Sequence, residues 1–215
     1  MRRCIIIGAG ELNVSKILVR EDDYVIAADG GYIYCKALEI VPDLILGDFD
    51  SIGEKEAEEL AGIQKIDPKR LIVLPVEKDD TDMLAAIRAG LQEGCREFHI
   101  YGGQGGRVEH TIANIQCLKY LKECGAVGYL IDDSGMILVA KDETIRFHEE
   151  TKGLLSLFSM GDRAEGVTLS NLKYELHDAV ITNSYPIGIS NEFVGKEASV
   201  TVKSGTLMMI WNKRK

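Results

Sequence analysis

Short runs of apolar residues recur through the first two thirds of the chain, separated by polar or glycine-rich stretches. Most of the runs are rich in Ile, Val and Leu and only a few residues long. Continuous apolar runs of this kind are typical of strands buried on both faces of a parallel sheet. They predict strands at residues 4–7, 24–28, 44–46, 71–74, 97–101 and 128–131.

Between several of these runs, the apolar positions follow a helical period. Leu84 and Ile87 lie on one face of a predicted helix that ends before Gly94, and residues 112–121 form another that ends before Gly125. Glycine often follows the last residue of a helix because it adopts a left-handed conformation without strain. Regular alternation of strands and helices implies right-handed crossovers. We therefore expect an α/β fold whose N-terminal part is a doubly wound, mostly parallel sheet with helices on both faces.

The pattern changes near residue 135, where the helical period gives way to short alternating segments. These predict strands at residues 154–159, 163–169, 179–183, 198–203 and 206–211. The last two flank Ser204-Gly205, which predicts a tight hairpin. We expect two domains, a catalytic α/β domain at residues 1–135 and a small all-β sandwich at residues 136–215, which needs support because it is so short.

Composition excludes some functional classes. Hydrophobic residues make up 46% of the chain and the formal net charge is −9, an unfavourable balance for gripping a nucleic-acid backbone. No apolar stretch approaches the length of a membrane span. The five cysteines show no metal-binding spacing, and most adjoin apolar residues. Buried, reduced thiols in a cytoplasmic protein are therefore expected.

Acidic residues follow successive predicted strands. Asp29 comes directly after residues 24–28, Asp48 and Asp50 follow residues 44–46, and Asp79 and Asp82 lie a few residues after 71–74. Ligands bind outside the carboxyl ends of strands in open α/β sheets, so these side chains are expected to converge. Any one of them alone could be only a helix cap.

Converging carboxylates repel one another unless a cation lies between them. Oxygen ligands favour a hard cation, Mg²⁺ in particular, which commonly binds one or two carboxylates together with substrate phosphates. We therefore expect Mg²⁺ and a nucleotide, with Asp48, Asp50, Asp79 and Asp82 as metal ligands. Asp80 is expected to be the spare carboxylate, since helix geometry cannot direct every acid of this run at one point.

A glycine-rich stretch follows the strand predicted at residues 97–101. Gly102, Gly103, Gly105 and Gly106 would allow close approach of the backbone to a phosphate. Arg107 would add donors suited to phosphate oxygens, and His110 lies one helical turn further on. The earlier Gly8-Ala9-Gly10 stretch resembles a dinucleotide-binding turn but lacks the third glycine. It is a weak signal for a nicotinamide-dependent oxidoreductase.

The motifs taken together are similar to those of the thiamine pyrophosphokinase family. They are Asp29-Gly30-Gly31, Gly47-Asp48-Phe49-Asp50-Ser51, Asp79-x-Thr81-Asp82, Gly102-Gly103-x-Gly105-Gly106-Arg107-x-x-His110 and Ser190-Asn191-Glu192-Phe193. The resemblance implies pyrophosphoryl transfer from ATP to thiamine, giving thiamine diphosphate and AMP. It also implies a homodimer with the thiamine site at its interface. Glu109 stands where the family usually has Asp.

The resemblance also implies roles for individual residues. It makes Asp48, Asp50, Asp82 and Arg107 catalytic and Ser190, Asn191 and Glu192 thiamine-binding. ATP would be bound by Asp29, Gly30, Lys78, Asp79, Thr81, Gly102, Gly103, Gly105, Gly106, Arg107 and His110. The alternatives are a pyrophosphokinase acting on a pterin alcohol, the oxidoreductase already mentioned, and a Mg-nucleotide sensor without turnover.

Overall fold

The structure is a computed structural model that describes residues 2–50, 52–75, 77 and 79–213. The chain divides into two compact units, residues 1–133 and residues 134–215. Lys78 and Ser51, which the sequence motifs include, lie outside the described residues. The first unit is mixed α/β and the second contains strands.

The first unit contains six parallel strands. They are β1 (Arg3–Ile7), β2 (Tyr24–Ala28), β3 (Leu44–Gly47), β4 (Leu71–Val73), β5 (Glu97–Tyr101) and β6 (Val127–Asp132). Their order across the sheet is β6-β5-β1-β2-β3-β4, and each neighbouring pair is parallel. Six of the predicted strands are thereby confirmed. The strand order reverses beside β1, so the chain segments that follow β1 and β5 leave the sheet side by side.

Four helices connect these strands: α1 (Gly31–Ala37), α2 (Glu54–Ile66), α3 (Asp82–Gln92) and α4 (Val108–Glu123). Two positive φ angles, 81° at Gly94 and 69° at Gly125, confirm that glycines follow α3 and α4. The N-terminus of α3 is capped by Thr81, whose Oγ1 accepts a hydrogen bond from the Leu84 N–H at 3.2 Å. This cap fixes where the helix begins, and therefore where Asp82 stands.

The two faces of this sheet pack differently. On one face, alternate residues of β1 and β2 such as Ile5 and Val25 pack with Tyr32 of α1 and Leu60 of α2. On the other face α3 approaches so closely that a Cβ at Gly90 would lie 2.7 Å from the Phe98 ring. Period-two alternation on a buried sheet accounts for both contacts.

A buried ion pair fixes the segment between β1 and β2. Arg3 Nε donates to Asp23 Oδ1 at 2.9 Å, and both residues are only 7% exposed. The Arg20 N–H donates to Asp23 Oδ2 at 2.7 Å. Burial opposes ionisation of Asp23, but the hydrogen bonds from Arg3 and Arg20 outweigh it and hold the pKa of the carboxyl below its usual value.

The second unit has two antiparallel sheets. One has the order β12-β9-β14-β7 and the other the order β11-β10-β13-β8. The strands are β7 (Gly135–Lys141), β8 (Thr144–Phe147), β9 (Leu154–Ser159), β10 (Arg163–Ser170), β11 (Leu176–Thr182), β12 (Asn191–Glu192), β13 (Ala198–Thr201) and β14 (Thr206–Asn212). Three of them, β7, β8 and β12, were not predicted.

The expected hairpin at Ser204-Gly205 is wrong. β13 pairs with β8 and β10, whereas β14 pairs with β7 and β9. The turn instead carries the chain from one sheet to the other. Ser204 is held there by a bridge to Glu165, whose N–H donates to the Ser204 carbonyl at 2.8 Å.

Two expectations about composition can be compared with the structure. All five cysteines are free thiols and four of them are buried, as predicted. No helix in the described part of the chain combines the length and the apolar character that crossing a membrane requires.

Candidate active site

Asp29 stands where β2 leaves the sheet. Its backbone is left-handed, with φ at 49°, and its N–H donates to the Leu46 carbonyl of β3 at 2.7 Å. A Cβ at Gly47 would lie 2.8 Å from the Asp29 Cα, so glycine allows the two strand ends to approach. This contact brings Asp29 next to the segment that begins with Asp48.

The negative charge of the Asp29 carboxyl has little stabilisation from its surroundings. Its Oδ1 is buried and has no hydrogen-bond partner among the described residues. Burial raises the pKa of this carboxyl, and the charges of Asp82, Asp48 and Asp50 raise it further, against an opposing hydrogen bond from the Gly30 N–H. Three of the carboxylates expected to converge, Asp48, Asp50 and Asp82, are therefore close enough to repel Asp29.

The segment with Asp48 and Asp50 forms a tight turn. The Asp50 N–H donates to Asp48 Oδ1 at 3.4 Å. Phe49 between them has a left-handed φ of 56° and is packed against the core around α1 and α2. The aromatic ring thus anchors a strained turn whose flanking residues are both carboxylates. Backbone strain of this kind is concentrated at functional sites.

The acids before and within α3 have different surroundings. Asp82 is the first residue of α3, where the helix dipole favours a negative charge. Asp80, two residues before α3, forms an ion pair with Arg88 of that helix. Asp79 lies just before Asp80 at the surface, and Lys78 lies outside the described residues.

The glycine-rich loop, residues 102–107, follows β5. Gly102, Gly105 and Gly106 have φ angles of 61°, 77° and 62°, which glycine adopts without strain. Arg107 caps α4, and its Nε donates to Glu109 Oε1 at 2.7 Å. Both side chains are well exposed. The pKa of the Glu109 carboxyl is lowered mainly by a hydrogen bond from its own backbone N–H, and further by the one from Arg107.

A cavity of about 430 Å³ joins these elements, within the range of small-molecule sites. Its walls come from the ends of β1, β2 and β5, the start of α3 and the start of α4. Asp29, Asp82, Thr81, Arg107 and His110 line it, together with the glycine-rich loop. Asp80, expected to be the spare carboxylate, also lines the cavity, whereas Asp48, Asp50 and Asp79 are not among its lining residues.

The acidic side chains around Asp29, those of Asp48, Asp50 and Asp82, suit a hard cation because such cations prefer carboxylate oxygens as ligands. A cation would also provide a partner for the buried Asp29 Oδ1. Within residues 2–50, 52–75, 77 and 79–213, no three acidic, histidine or cysteine side chains form a ready-made metal cluster.

The residues expected to bind thiamine lie in the second unit. Ser190 is exposed with φ at 57°, and its N–H donates to Ser156 Oγ at 3.0 Å. Asn191 is 4% exposed, and its amide both accepts from the Tyr174 N–H and donates to the Tyr174 carbonyl. Glu192 forms an ion pair with Lys173 at 3.0 Å. Asn191 is thus occupied in holding the Tyr174 segment.

Family models match both parts of the chain. The thiamin pyrophosphokinase catalytic domain matches residues 15–127, and the thiamin pyrophosphokinase vitamin B1 binding domain matches residues 142–207. A thiamine pyrophosphokinase of Bacillus subtilis is 31% identical over 186 residues, which cover 86% of this chain and 85% of that protein. The chain belongs to the thiamine pyrophosphokinase family.

Solved structures have the same fold. The crystal structure of thiamine pyrophosphokinase from Bacillus subtilis has a TM-score of 0.88 and 27% identity, covering 100% of both chains. A thiamin pyrophosphokinase family protein from Enterococcus faecalis has a TM-score of 0.83 and 26% identity, again covering 100% of both chains. The thiamine pyrophosphokinase fold therefore extends over the whole chain, and the members of this family are diphosphotransferase enzymes.

The sequence motifs missed two residues beside the glycine-rich loop. Asn114 of α4 is 8% exposed and its Nδ2 donates to the Gly103 carbonyl at 2.8 Å. Glu11 accepts a hydrogen bond from the Gly106 N–H at 3.1 Å through Oε1. A polar residue on the buried face of a predicted helix was an available signal for Asn114. Glu11 gave no such signal, because its contact is 95 residues away in the chain.

Proposed function

We propose that this protein transfers a pyrophosphoryl group from ATP to the hydroxyl of thiamine, giving thiamine diphosphate and AMP. The observation that carries the proposal is the half-buried Asp29 carboxyl, whose Oδ1 is buried without a partner among the described residues and which is repelled by three further carboxylates. It borders a cavity whose other wall is a glycine-rich loop ending in Arg107. Carboxylates on one side could bind Mg²⁺, and hydrogen-bond donors on the other side could bind phosphates, so the site suits a Mg-nucleotide.

In this proposal, Asp48, Asp50 and Asp82 would hold Mg²⁺, with Asp79 as a helper. Mg²⁺ supplies neutralisation of the phosphate oxygens when it is bound. The residues of the chain would mainly position the reactants, because phosphoryl-group transfer depends on alignment and electrostatics more than on covalent chemistry. Arg107 and the N–H groups of the glycine-rich loop would hold the phosphates of ATP, with Asp29, Thr81 and His110 lining the same cavity. Lys78 is proposed as a further ATP contact from the sequence motif alone.

For the whole guanidinium of Arg107 to face a phosphate, the present hydrogen bond from its Nε to Glu109 would have to be exchanged. That exchange is inexpensive because the pair is exposed, and exposed ion pairs contribute about 0–1 kcal/mol. Glu109 stands where the family usually has Asp. In the protein without ATP, its hydrogen bond would hold the Arg107 side chain in place.

We assign thiamine to the second unit, with Ser190 and Glu192 as contacts and Asn191 as the support of the segment that carries them. The supporting observation is that Ser190 is exposed while the Asn191 amide is engaged by Tyr174 and by the Glu192 N–H. The match of residues 142–207 to a vitamin B1 binding domain favours thiamine over a pterin alcohol.

The nicotinamide alternative is not favoured. Gly8 and Gly10, the two glycines on which it depends, are required by contacts within the protein. A Cβ at Gly8 would lie 2.8 Å, and one at Gly10 2.6 Å, from the Gly102 carbonyl oxygen. Close packing of two loops therefore explains these glycines without a dinucleotide.

A homodimer is also proposed, with the thiamine site at its interface. Its support is the exposed apolar surface near Ser190, where Tyr185, Ile187, Ile189 and Val194 are between 43% and 67% exposed. Exposed apolar groups in such number often mark an interaction surface. Sedimentation at micromolar concentration tests it, and a monomer would contradict it.

We also propose a doubly wound sheet in the first unit, a sandwich in the second unit and a cytoplasmic location. Helix contacts on opposite faces of the first sheet support a doubly wound arrangement, and the two antiparallel sheets of the second unit support a sandwich. We assign catalysis to the first unit and thiamine binding to the second. Free cysteines support a cytoplasmic location.

The test is to incubate the protein with thiamine, ATP and Mg²⁺ and to identify both products by mass spectrometry. We expect thiamine diphosphate and AMP in equal amounts. A parallel reaction with a pterin alcohol replacing thiamine tests the alternative acceptor. Formation of ADP, or no turnover of thiamine, would overturn the proposal.

A further inference from the structure

The segment after β1, residues 8–11, lies along the glycine-rich loop, and we call it the backing segment. β1 and β5 pair in register up to Ile7 and Tyr101. The pairing continues beyond both strands, because Gly8 N–H donates to the Tyr101 carbonyl and Gly10 N–H to the Gly102 carbonyl, each at 2.8 Å. The glycine-rich loop is therefore supported along its length by the backing segment.

Three successive carbonyl groups of the glycine-rich loop accept hydrogen bonds from the protein. Gly102 accepts from Gly10, Gly103 from Asn114 Nδ2, and Gln104 from the Glu11 N–H at 2.9 Å. A carbonyl oxygen turned towards a phosphate would repel it, whereas an N–H group would attract it. Engaging the carbonyls elsewhere prevents the loop from presenting them to an anion.

The side chain of Glu11 completes this arrangement. Its Oε1 accepts from the Gly106 N–H at 3.1 Å, and its aliphatic part lies against Gly105, where a Cβ would be 2.6–2.8 Å from Glu11 carbons. The loop thus curls around Glu11 immediately before Arg107. The same carboxylate holds the turn that leads into Arg107, the residue directly before α4.

We propose that Glu11 is a positioning residue that holds the glycine-rich loop, and with it Arg107, in the conformation that binds the phosphates of ATP. This inference rests on the proposed function. It assigns a role to a residue that lies outside the region matched by the catalytic-domain model, which begins at residue 15. Glu11 acts through the loop and is not itself a ligand of the nucleotide.

Three substitutions separate the hydrogen bond from the charge. Glu11→Gln keeps an acceptor oxygen at the same position, Glu11→Asp withdraws it by one methylene, and Glu11→Ala removes it. A single hydrogen bond contributes a factor of roughly 2 to 12. We expect Glu11→Ala to raise the KM for ATP about fivefold, Glu11→Asp to have a smaller effect, and Glu11→Gln to stay within about twofold of wild type.

Specificity for ATP distinguishes positioning from general stability. The KM for thiamine and the melting temperature of Glu11→Ala should stay close to those of wild type. Glu21→Ala removes an exposed carboxylate from the turn before β2 and serves as the matched control. The proposal is overturned if Glu11→Ala leaves the KM for ATP unchanged, if Glu11→Gln is as impaired as Glu11→Ala, or if both substrates are affected equally.

Hydrogen exchange on the full-length protein without substrates tests the loop independently of turnover. A peptide covering the glycine-rich loop should exchange faster in Glu11→Ala than in wild type, with Glu11→Gln restoring protection. Calorimetric titration with Mg·ATP alone should show the same order of affinities. If wild type forms no thiamine diphosphate, the proposed function fails, while exchange and calorimetry still decide the role of Glu11; equal exchange in all variants would refute it.

Discussion

Replacing Asp29 with Asn should stabilise the protein while impairing its activity. The carboxyl has one buried oxygen without a partner among the described residues, and it is repelled by Asp82, Asp48 and Asp50. Asn is nearly isosteric and tolerates the left-handed φ of 49° better than most residues do. The substitution therefore removes the charge and leaves the backbone unstrained.

The magnitude follows from the partial burial of the group. Leaving a buried polar group without a hydrogen bond costs about 1–3 kcal/mol, and a charged group costs more. Because the cavity is open to water, which screens the repulsion, we take about 1 kcal/mol for Asp29→Asn. For a chain of this size that corresponds to a rise of about 2–4 °C in melting temperature.

The gain should depend on pH. Since the pKa of Asp29 is raised in the folded protein, folding favours the protonated form, and the destabilisation develops as pH rises through that raised pKa. Below the ordinary value of about 4 the carboxyl is neutral in both states and the difference should vanish. Thermal unfolding at several pH values, in EDTA, measures this directly.

Activity should change in the opposite direction. Mg·ATP should raise the melting temperature of wild type more than that of Asp29→Asn, because the variant lacks the carboxylate that borders the cavity proposed for Mg·ATP. The kcat/KM for ATP should fall in parallel. Asp29→Ala is the matched comparison, since it removes the charge but strains a left-handed backbone. A lower melting temperature for Asp29→Asn at neutral pH, or a difference that does not change with pH, would refute the reasoning.

Three further substitutions test other parts of the molecule. Asp48→Asn should lower kcat by at least about 100-fold without changing the circular dichroism spectrum; near-normal turnover would remove Asp48 from the metal site. Asp23→Asn should cost about 3 kcal/mol of unfolding free energy, because Arg3 is left buried and unpaired. The contribution of Asp23 to the unfolding free energy should be lost only as pH falls below about 4, because its pKa is depressed in the folded protein. Urea unfolding at neutral and acidic pH measures both effects. A variant as stable as wild type at neutral pH would contradict them. Asn191→Ala should raise the KM for thiamine while leaving that for ATP unchanged, because Tyr174 loses two hydrogen bonds to the Asn191 amide and the Glu192 N–H loses one; an equal change in both KM values would count against this assignment.

Local patterns were sufficient for most elements of the first unit. The strands at residues 24–28 and 97–101 have the predicted bounds, because both are rich in β-branched or aromatic residues and each ends directly at a glycine-containing turn. The second unit was harder to predict. Its short strand β12 (Asn191–Glu192) has no periodicity to detect, and β7 (Gly135–Lys141) lies at the point where the helical pattern fades.

Pairing partners could not be predicted from local pattern. The residues flanking Ser204-Gly205 alternate as a hairpin would, yet β13 and β14 pair in separate sheets. Which strand pairs with which depends on burial against distant residues, and turn composition alone does not determine it. The same limitation applies to Asn191, whose amide is occupied by Tyr174, 17 residues away.

The sequence by itself determined the strand ends and the acids and glycines that follow them, because these depend on local periodicity and on the rule that ligands bind at carboxyl ends of parallel strands. The tertiary structure decided which strand ends are neighbours. With β2 beside β3, Asp29 lies beside the turn of Asp48, and with β1 beside β5, Glu11 lies beside a loop 95 residues away. Contacts over that distance arise from the sheet order, and no local pattern of residues specifies it.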